Sequence, residues 1–189
     1  MKRTSIALAV VVAVLGTAVC VGASPQAMES PDGDLHAELS LQDGQLHYSL
    51  QHGDVQVLDD SPLGITVDGM ELGSGVEQVS VSVSANTRRV YTTRGVHATG
   101  RSRYREYTAT AARSEGPDLQ VVFRMFNDGA AYRYVVPGSR QHTIEGETSA
   151  WNIASDAPMW FQTGTNNYEK LFRTQMVGQA DADIGPPAT

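Results

Sequence analysis

Cysteine is nearly absent from this 189-residue chain: the one example, Cys20, lies in an N-terminal stretch that reads as a removable leader. A mature chain without cysteine has no disulfide scaffold, no zinc–thiolate site and no cysteine nucleophile. Basic residues are also scarce, 14 against 21 acidic ones, for a net charge of −7. Loss of Lys2 and Arg3 with the leader leaves 12 against 21, a net of −9. Nucleic acid is therefore not the expected partner, because a phosphate backbone needs a basic surface. No segment after the leader sustains a 3.6-residue apolar period, and no βαβα alternation occurs, so neither a helical bundle nor a (β/α)8 barrel is encoded here. The Gly-x-Ser-x-Gly elbow and the Gly-rich phosphate loop are missing too, which argues against a serine hydrolase and a nucleotide enzyme.

The leader itself is compact. Lys2 and Arg3 precede an apolar run from Ile6 to Leu15, continued by small residues from Val19 to Ala23. Val21 and Ala23 suit the −3 and −1 positions of a cleavage site after Ala23, so residues 1–23 are expected to be a signal peptide and the product secreted or periplasmic. The apolar run falls short of the ~20 residues of a membrane span, and no span is expected in the mature chain. Lipid attachment at Cys20 is disfavoured, since Thr17-Ala18-Val19 lacks Leu at −3 and a small residue at −1.

What is present is period two. Leu35, Ala37, Leu39 and Leu41 alternate with polar residues, and so do Leu46, Tyr48 and Leu50. Asp43-Gly44 and His52-Gly53-Asp54 separate these runs and a third, Val55 to Leu58, into an antiparallel meander. Ser61-Pro62-Leu63-Gly64-Ile65 bends into a strand of Leu63, Ile65 and Val67; Val79, Val81 and Val83 alternate with serines; Tyr104 to Ala111 is rich in Tyr and Thr. Leu119 to Phe126 and Ala130 to Val136 flank Asn127-Asp128-Gly129, a hairpin whose turn residues tolerate positive φ. Trp151 to Ile153 and Met159 to Gln162 are weaker strands, with Trp160 and Phe161 on opposite sides of the sheet. Ser24 to Ser30 reads as loose, and residues 178–189 as a tail or the start of a continuation. The expected fold is an all-β antiparallel sandwich over residues 24–177.

Candidate chemistry is thin. His36, His47, His52, His97 and His142 show no metal-ligand spacing, and the polar phase of His36 and His47 predicts exposed side chains. Arg101, Arg103 and Arg105 share a strand face beside Glu106, a solvated face or an anion site. Glu106 is expected to pair with a neighbouring-strand arginine such as Arg133. Glu169, in Asn166-Asn167-Tyr168-Glu169, is a solvated loop carboxylate or a Ca²⁺ ligand, although the chain alone offers fewer donors than the 6–8 oxygens Ca²⁺ typically takes. Trp151, Trp160, Phe161, Tyr168 and Phe172 are core rings or a platform for sugar C–H faces.

Five short motifs together resemble the beginning of glycoside hydrolase family 97, secreted bacterial α-glucosidases and α-galactosidases. They are Ser30-Pro31-Asp32-Gly33, Ser61-Pro62-Leu63-Gly64-Ile65, Tyr104-Arg105-Glu106, the hairpin from Phe123 to Tyr134, and Asn167-Tyr168-Glu169. The hairpin is specific; the others carry weight through their order and spacing. The resemblance implies a galactose-mutarotase-like β-super-sandwich, here incomplete, followed in the family by a (β/α)8 barrel that carries the catalytic carboxylates and most ligands of a Ca²⁺ ion. It implies Glu169 as the sandwich's ligand to that ion, Asn167 and Tyr168 as substrate-binding residues, and an α-glucoside or α-galactoside as the carbohydrate partner. No counterpart of the catalytic carboxylates is present, so the chain alone is expected to be inactive. The alternatives are a stand-alone carbohydrate-binding sandwich and a mutarotase-like enzyme, the latter needing a His and a carboxylate at the anomeric centre.

Overall fold

The computed structural model describes residues 24–96, 98–163, 171–180 and 184–185. The expected all-β antiparallel architecture is what these residues form. One four-stranded sheet has the order β1-β2-β3-β4, from Gln26–Glu29, Leu35–Gln42, Gln45–His52 and Val55–Pro62. A second has the order β10-β9-β8-β7, from Val76–Thr92 (β7), Thr99–Arg113 (β8), Leu119–Phe126 (β9) and Gly129–Val135 (β10). Ile65–Val67 (β5), Met70–Glu71 (β6) and Ile144–Glu147 (β11) make a small sheet, and Pro158–Thr163 (β12), Arg173–Met176 (β13) and Ile184–Gly185 (β14) another.

The core lies between the two large sheets and is built by strict alternation. Leu35, Ala37 and Leu39 of β2 and Leu46, Tyr48 and Leu50 of β3 meet Tyr107, Ala109 and Ala111 of β8 and Leu119, Val121, Phe123 and Met125 of β9. Burying one face of each sheet and wetting the other is the stable solution for two antiparallel sheets. The β2–β3 turn is as expected, with positive φ at both central residues, Asp43 (49°) and Gly44 (79°). Such a turn matches the right-handed twist of the strands it joins. Asp68 (51°) and Gly69 (77°) repeat the device between β5 and β6.

Four expectations are corrected. Ser24 to Ser30 is not loose: Gln26–Glu29 pairs antiparallel with β2 and drives Met28 fully into the core. Its polar composition hid the one apolar side chain that mattered, and the ladder supplied the rest. Trp151–Ile153 is not a strand but a connection held by Asn152, whose carbonyl accepts from the Asp59 N–H and whose N–H donates to Ser61 Oγ. The hairpin turn at Asn127-Asp128 forms between the partners Phe126 and Gly129, yet none of Asn127, Asp128 and Gly129 has positive φ, which is compatible with a type I turn open to most residues. Finally, β7 does not end near Val83. It runs to Thr92, past a bulge between Val83 and Ala85, and with β8 projects as a two-stranded arm. Val83 is correspondingly 65 % exposed.

Trp160 and Phe161 fall on opposite sides of the sheet as read, 52 % and 1 % exposed.

Candidate functional site

Two of the motifs that carry the family resemblance, Tyr104-Arg105-Glu106 and the hairpin, meet in space, and what the described motifs build is framework. In the hairpin, Phe123 points inward and its ring meets Tyr48 (6.3 Å) and Tyr132 (5.9 Å), while Tyr132 also meets Tyr134 (5.6 Å). Burial raises the hydroxyl pKa of Tyr48, Tyr134 and, to a smaller extent, Tyr132, so all three are neutral hydrogen-bonding groups around neutral pH. The next residue, Arg124, points to the other face, where its Nε donates to Glu106 Oε2 (2.7 Å) and its guanidinium lies 4.8 Å over the Tyr104 ring. Phe126 packs on the same ring at 5.2 Å. Two motifs distant in sequence thus form one cluster, because Tyr104 is the ladder partner of Phe126 and Glu106 that of Arg124. The partner of Glu106 is therefore Arg124 and not Arg133, whose own ladder partner is Val122.

The other described motifs are equally constructive. Ser30 Oγ donates to Asp32 Oδ1 (2.6 Å) and accepts from the Leu35 N–H (3.0 Å), closing the entry to β2. Ser61, fully buried, donates to the Asp59 carbonyl (2.7 Å). Glycine at Gly64 leaves room for the side chains of Thr148 and Glu71, whose Oγ1 and Oε1 a Cβ there would displace. Glu71 in turn accepts from Thr148 Oγ1 (2.7 Å) and the Gly73 N–H (2.7 Å), tying the small β5–β6–β11 sheet to the chain that follows it.

The histidine reading needs correction. His47 and His142 are each only 18 % exposed at the side chain and face carboxylates, Asp60 at 2.7 Å and Asp68 at 2.8 Å. The pairing of β3 with β4 brings Asp60 to His47, and the chain before β11 folding back beside the β5–β6 turn brings His142 to Asp68, neither of which strand phase reveals. Asp68 also accepts from the Thr143 N–H and from Arg140, and these bonds, Thr143 first, hold its carboxyl well below the ordinary 3.8.

Asn167, Tyr168 and Glu169, the predicted substrate and Ca²⁺ residues, lie outside the described residues, as does His97. Their segment joins β12 to β13, and its described flanks are informative. Trp160 is the ladder partner of Thr174, so Trp160, Phe172 and Met176 belong to one face of that small sheet. All three are exposed, at 52 %, 53 % and 44 %, and Leu171 beside them at 89 %. Among the described residues no three His, Cys, Asp or Glu side chains come together as a metal site. Among the described residues no helix is long and apolar enough to cross a membrane.

Sequence reasoning missed one further feature, an apolar cavity of about 160 Å³ lined by Tyr48, Leu58, Phe123, Tyr132 and Trp151 at the edge of the core. Trp151 was legible as an aromatic but not as its wall, since the chain from Thr148 to Asn152 folds back on β4 through long-range bonds.

Comparison with known proteins agrees with this framework. Residues 28–189 match the family model described as glycosyl-hydrolase 97 N-terminal. A probable retaining alpha-galactosidase of Streptomyces bingchenggensis (strain BCW-1) is 33 % identical over 153 residues, covering 78 % of this chain and 23 % of the relative. A retaining alpha-galactosidase of Bacteroides thetaiotaomicron is 28 % identical over 130 residues, covering 68 % of this chain and 19 % of its own length. Among solved structures, a glycoside hydrolase family 97 enzyme from Pseudoalteromonas sp. strain K8, in complex with panose, superposes with a TM-score of 0.69 at 22 % identity, over 82 % of this chain and 25 % of that one. The chain spans about a quarter of the length of the relatives it matches.

Proposed function

The chain belongs to glycoside hydrolase family 97, whose N-terminal domain it matches over most of its length, and we propose that it serves as the supporting domain of a secreted hydrolase of α-galactosides or α-glucosides. The observation that carries the proposal is the face formed by Trp160, Phe172 and Met176. Three large apolar side chains lie exposed on one sheet face, and they flank the segment holding Asn167, Tyr168 and Glu169. Contiguous exposed apolar surface marks an interface. Its partner is a (β/α)8 barrel, and the segment between β12 and β13 serves the barrel's substrate site. There Glu169 supplies one oxygen ligand to a Ca²⁺ ion whose other ligands belong to the barrel, and Asn167 and Tyr168 meet the sugar. The relatives' own activity makes an α-galactoside the first substrate to test.

A chimera tests this. The chain, without its leader, replaces the N-terminal domain of the Streptomyces enzyme, and nitrophenyl α-galactoside hydrolysis is compared with that of the domain-deleted enzyme. The expected result is restored hydrolysis, reduced by Trp160→Asp, and a Ca²⁺ requirement moved to higher concentration by Glu169→Gln. A folded chimera no more active than the deleted enzyme, or one indifferent to both substitutions, would refute the supporting role.

A further inference from the structure

We propose that the apolar cavity beside Trp151 is a binding site for one small uncharged aromatic ring bearing a hydroxyl, a phenol. Enclosure is the first observation. The cavity, of about 160 Å³, reaches from the core outward between β4 and β10, the edge strands of the two large sheets. Ala37, Tyr48, Leu50 and Phe123 are its buried walls, whereas Ala130 and Trp151 are exposed and mark its mouth.

The fixing of that mouth is the second. Trp151 lies outside any strand, yet the chain is tied to β4 on both sides of it. The Ala150 N–H donates to the Pro62 carbonyl (3.1 Å), and the Asn152 N–H donates to Ser61 Oγ (3.0 Å). Asn152 also accepts, through its carbonyl, from the Asp59 N–H (2.8 Å). The backbone therefore holds the indole at the cavity while the residue stays 56 % exposed.

The chemistry of the lining is the third. Tyr48, Phe123, Tyr132 and Trp151 set four aromatic side chains around one small space, and the rest of the lining is Ala and Leu. No charged residue lines it, so an ion entering would lose its hydration without gaining a partner. One polar group stands ready. The Tyr132 hydroxyl donates to Glu147 Oε1, but the hydroxyl of Tyr48, a residue only 4 % exposed, makes no hydrogen bond among the described residues. Burial pushes its pKa up, so it is a neutral group able to donate or accept.

These properties select the ligand. A dry apolar cavity of about 150 Å³ takes a benzene-sized molecule, so a single ring matches the space in size. A sugar ring carries hydroxyls on most of its carbons, and alkyl and aryl walls would leave nearly all of them unpaired. Water needs several polar partners to stay, and a single free hydroxyl holds it poorly, so an apolar ring displaces it with a gain in affinity. A phenol meets both demands: its ring packs on the aromatic walls and its hydroxyl pairs with that of Tyr48. The proposal stands on this cavity alone and does not depend on the supporting role argued above.

Nitrogen-15 NMR of the chain without its leader, titrated with phenol, benzene and galactose, tests it. Phenol should give saturable shifts, that of the Trp151 indole N–H among them, with a Kd of about 0.1–1 mM, ordinary for so small a ligand. Benzene should bind more weakly and galactose should leave the spectrum unchanged. Ala130→Phe, a substitution at the exposed mouth, should weaken phenol binding about tenfold or more, by the overlap of its ring with the ligand. Its dispersed spectrum would show it folded. Tyr48→Phe should bring the affinity for phenol down to that for benzene. The absence of a saturable shift with phenol would overturn the proposal. So would shifts matched by galactose, full affinity in Ala130→Phe, or a preference for phenol over benzene that survives Tyr48→Phe.

Discussion

Phe123→Ala is the substitution that most sharply tests whether the signature hairpin is framework. The Phe123 side chain is 1 % exposed and its ring contacts those of Tyr48 and Tyr132. Truncating a buried phenylalanine typically costs about 3–5 kcal/mol, through lost transfer free energy and the cavity left behind. Two features place this site in the upper half of that range. The ring already borders a cavity of about 160 Å³, so truncation enlarges an existing void. Its neighbours are pinned, Tyr48 within β3 and Tyr132 by ladder pairing to Phe123 itself, so they collapse little into the space. Loss of two aromatic contacts, each worth about 0.5–1.5 kcal/mol, acts in the same direction. Against a typical domain stability of about 5–15 kcal/mol, a loss near 4 kcal/mol removes a large share. Urea unfolding followed by tryptophan fluorescence should show a midpoint far below wild type with the slope preserved, and the melting temperature should fall by about 8–16 °C. Phe126→Ala, on the wetter face, should cost clearly less. A loss below about 1.5 kcal/mol for Phe123→Ala, or a larger loss for Phe126→Ala, would refute the framework reading.

Other outcomes follow from the same geometry. Gly73→Ala should destabilise by about 3 kcal/mol, because its Cβ would sit 2.0 Å from the Leu63 carbonyl and 2.6 Å from Gly64 Cα, backbone that cannot step aside; a wild-type melting temperature would contradict this. Ser61→Ala should cost about 1–3 kcal/mol, since it removes the acceptor of the Asn152 N–H inside the fold, and unchanged urea unfolding would count against it. Asp68→Asn should destabilise in a pH-dependent way. A carboxyl held below its ordinary value of 3.8 contributes fully above that pH, and its contribution fades as pH falls through the depressed value. The gap in stability from wild type should thus be widest near neutrality and close in acid, and a gap constant with pH would show that Asp68 acts through shape alone. The chain by itself should release no nitrophenol from nitrophenyl α-galactoside or α-glucoside; dose-dependent release would contradict the supporting role.

Much of the sandwich was legible in the residues. The alternation in β2, β3 and β9 located the inner face, because side chains on a strand alternate sides regardless of context. Asp43-Gly44 announced its turn for an equally local reason, the ease with which these residues take positive φ. The hairpin motif pointed to the family before any contact was known. What the tertiary structure decided is whatever depends on pairing between distant strands. Gln26–Glu29 became a strand because β2 offered an edge. Glu106 met Arg124 because of the register of β8 on β9, and His142 met Asp68 because the chain before β11 folds back beside the β5–β6 turn. Arg101, Arg103 and Arg105 were legible as one strand phase, but the opposition of Arg103 to Arg88 arises only when β7 outruns the core. Local patterns follow from the geometry of one strand, whereas sites are made by registers, and a register is a property of two strands and the core that aligns them.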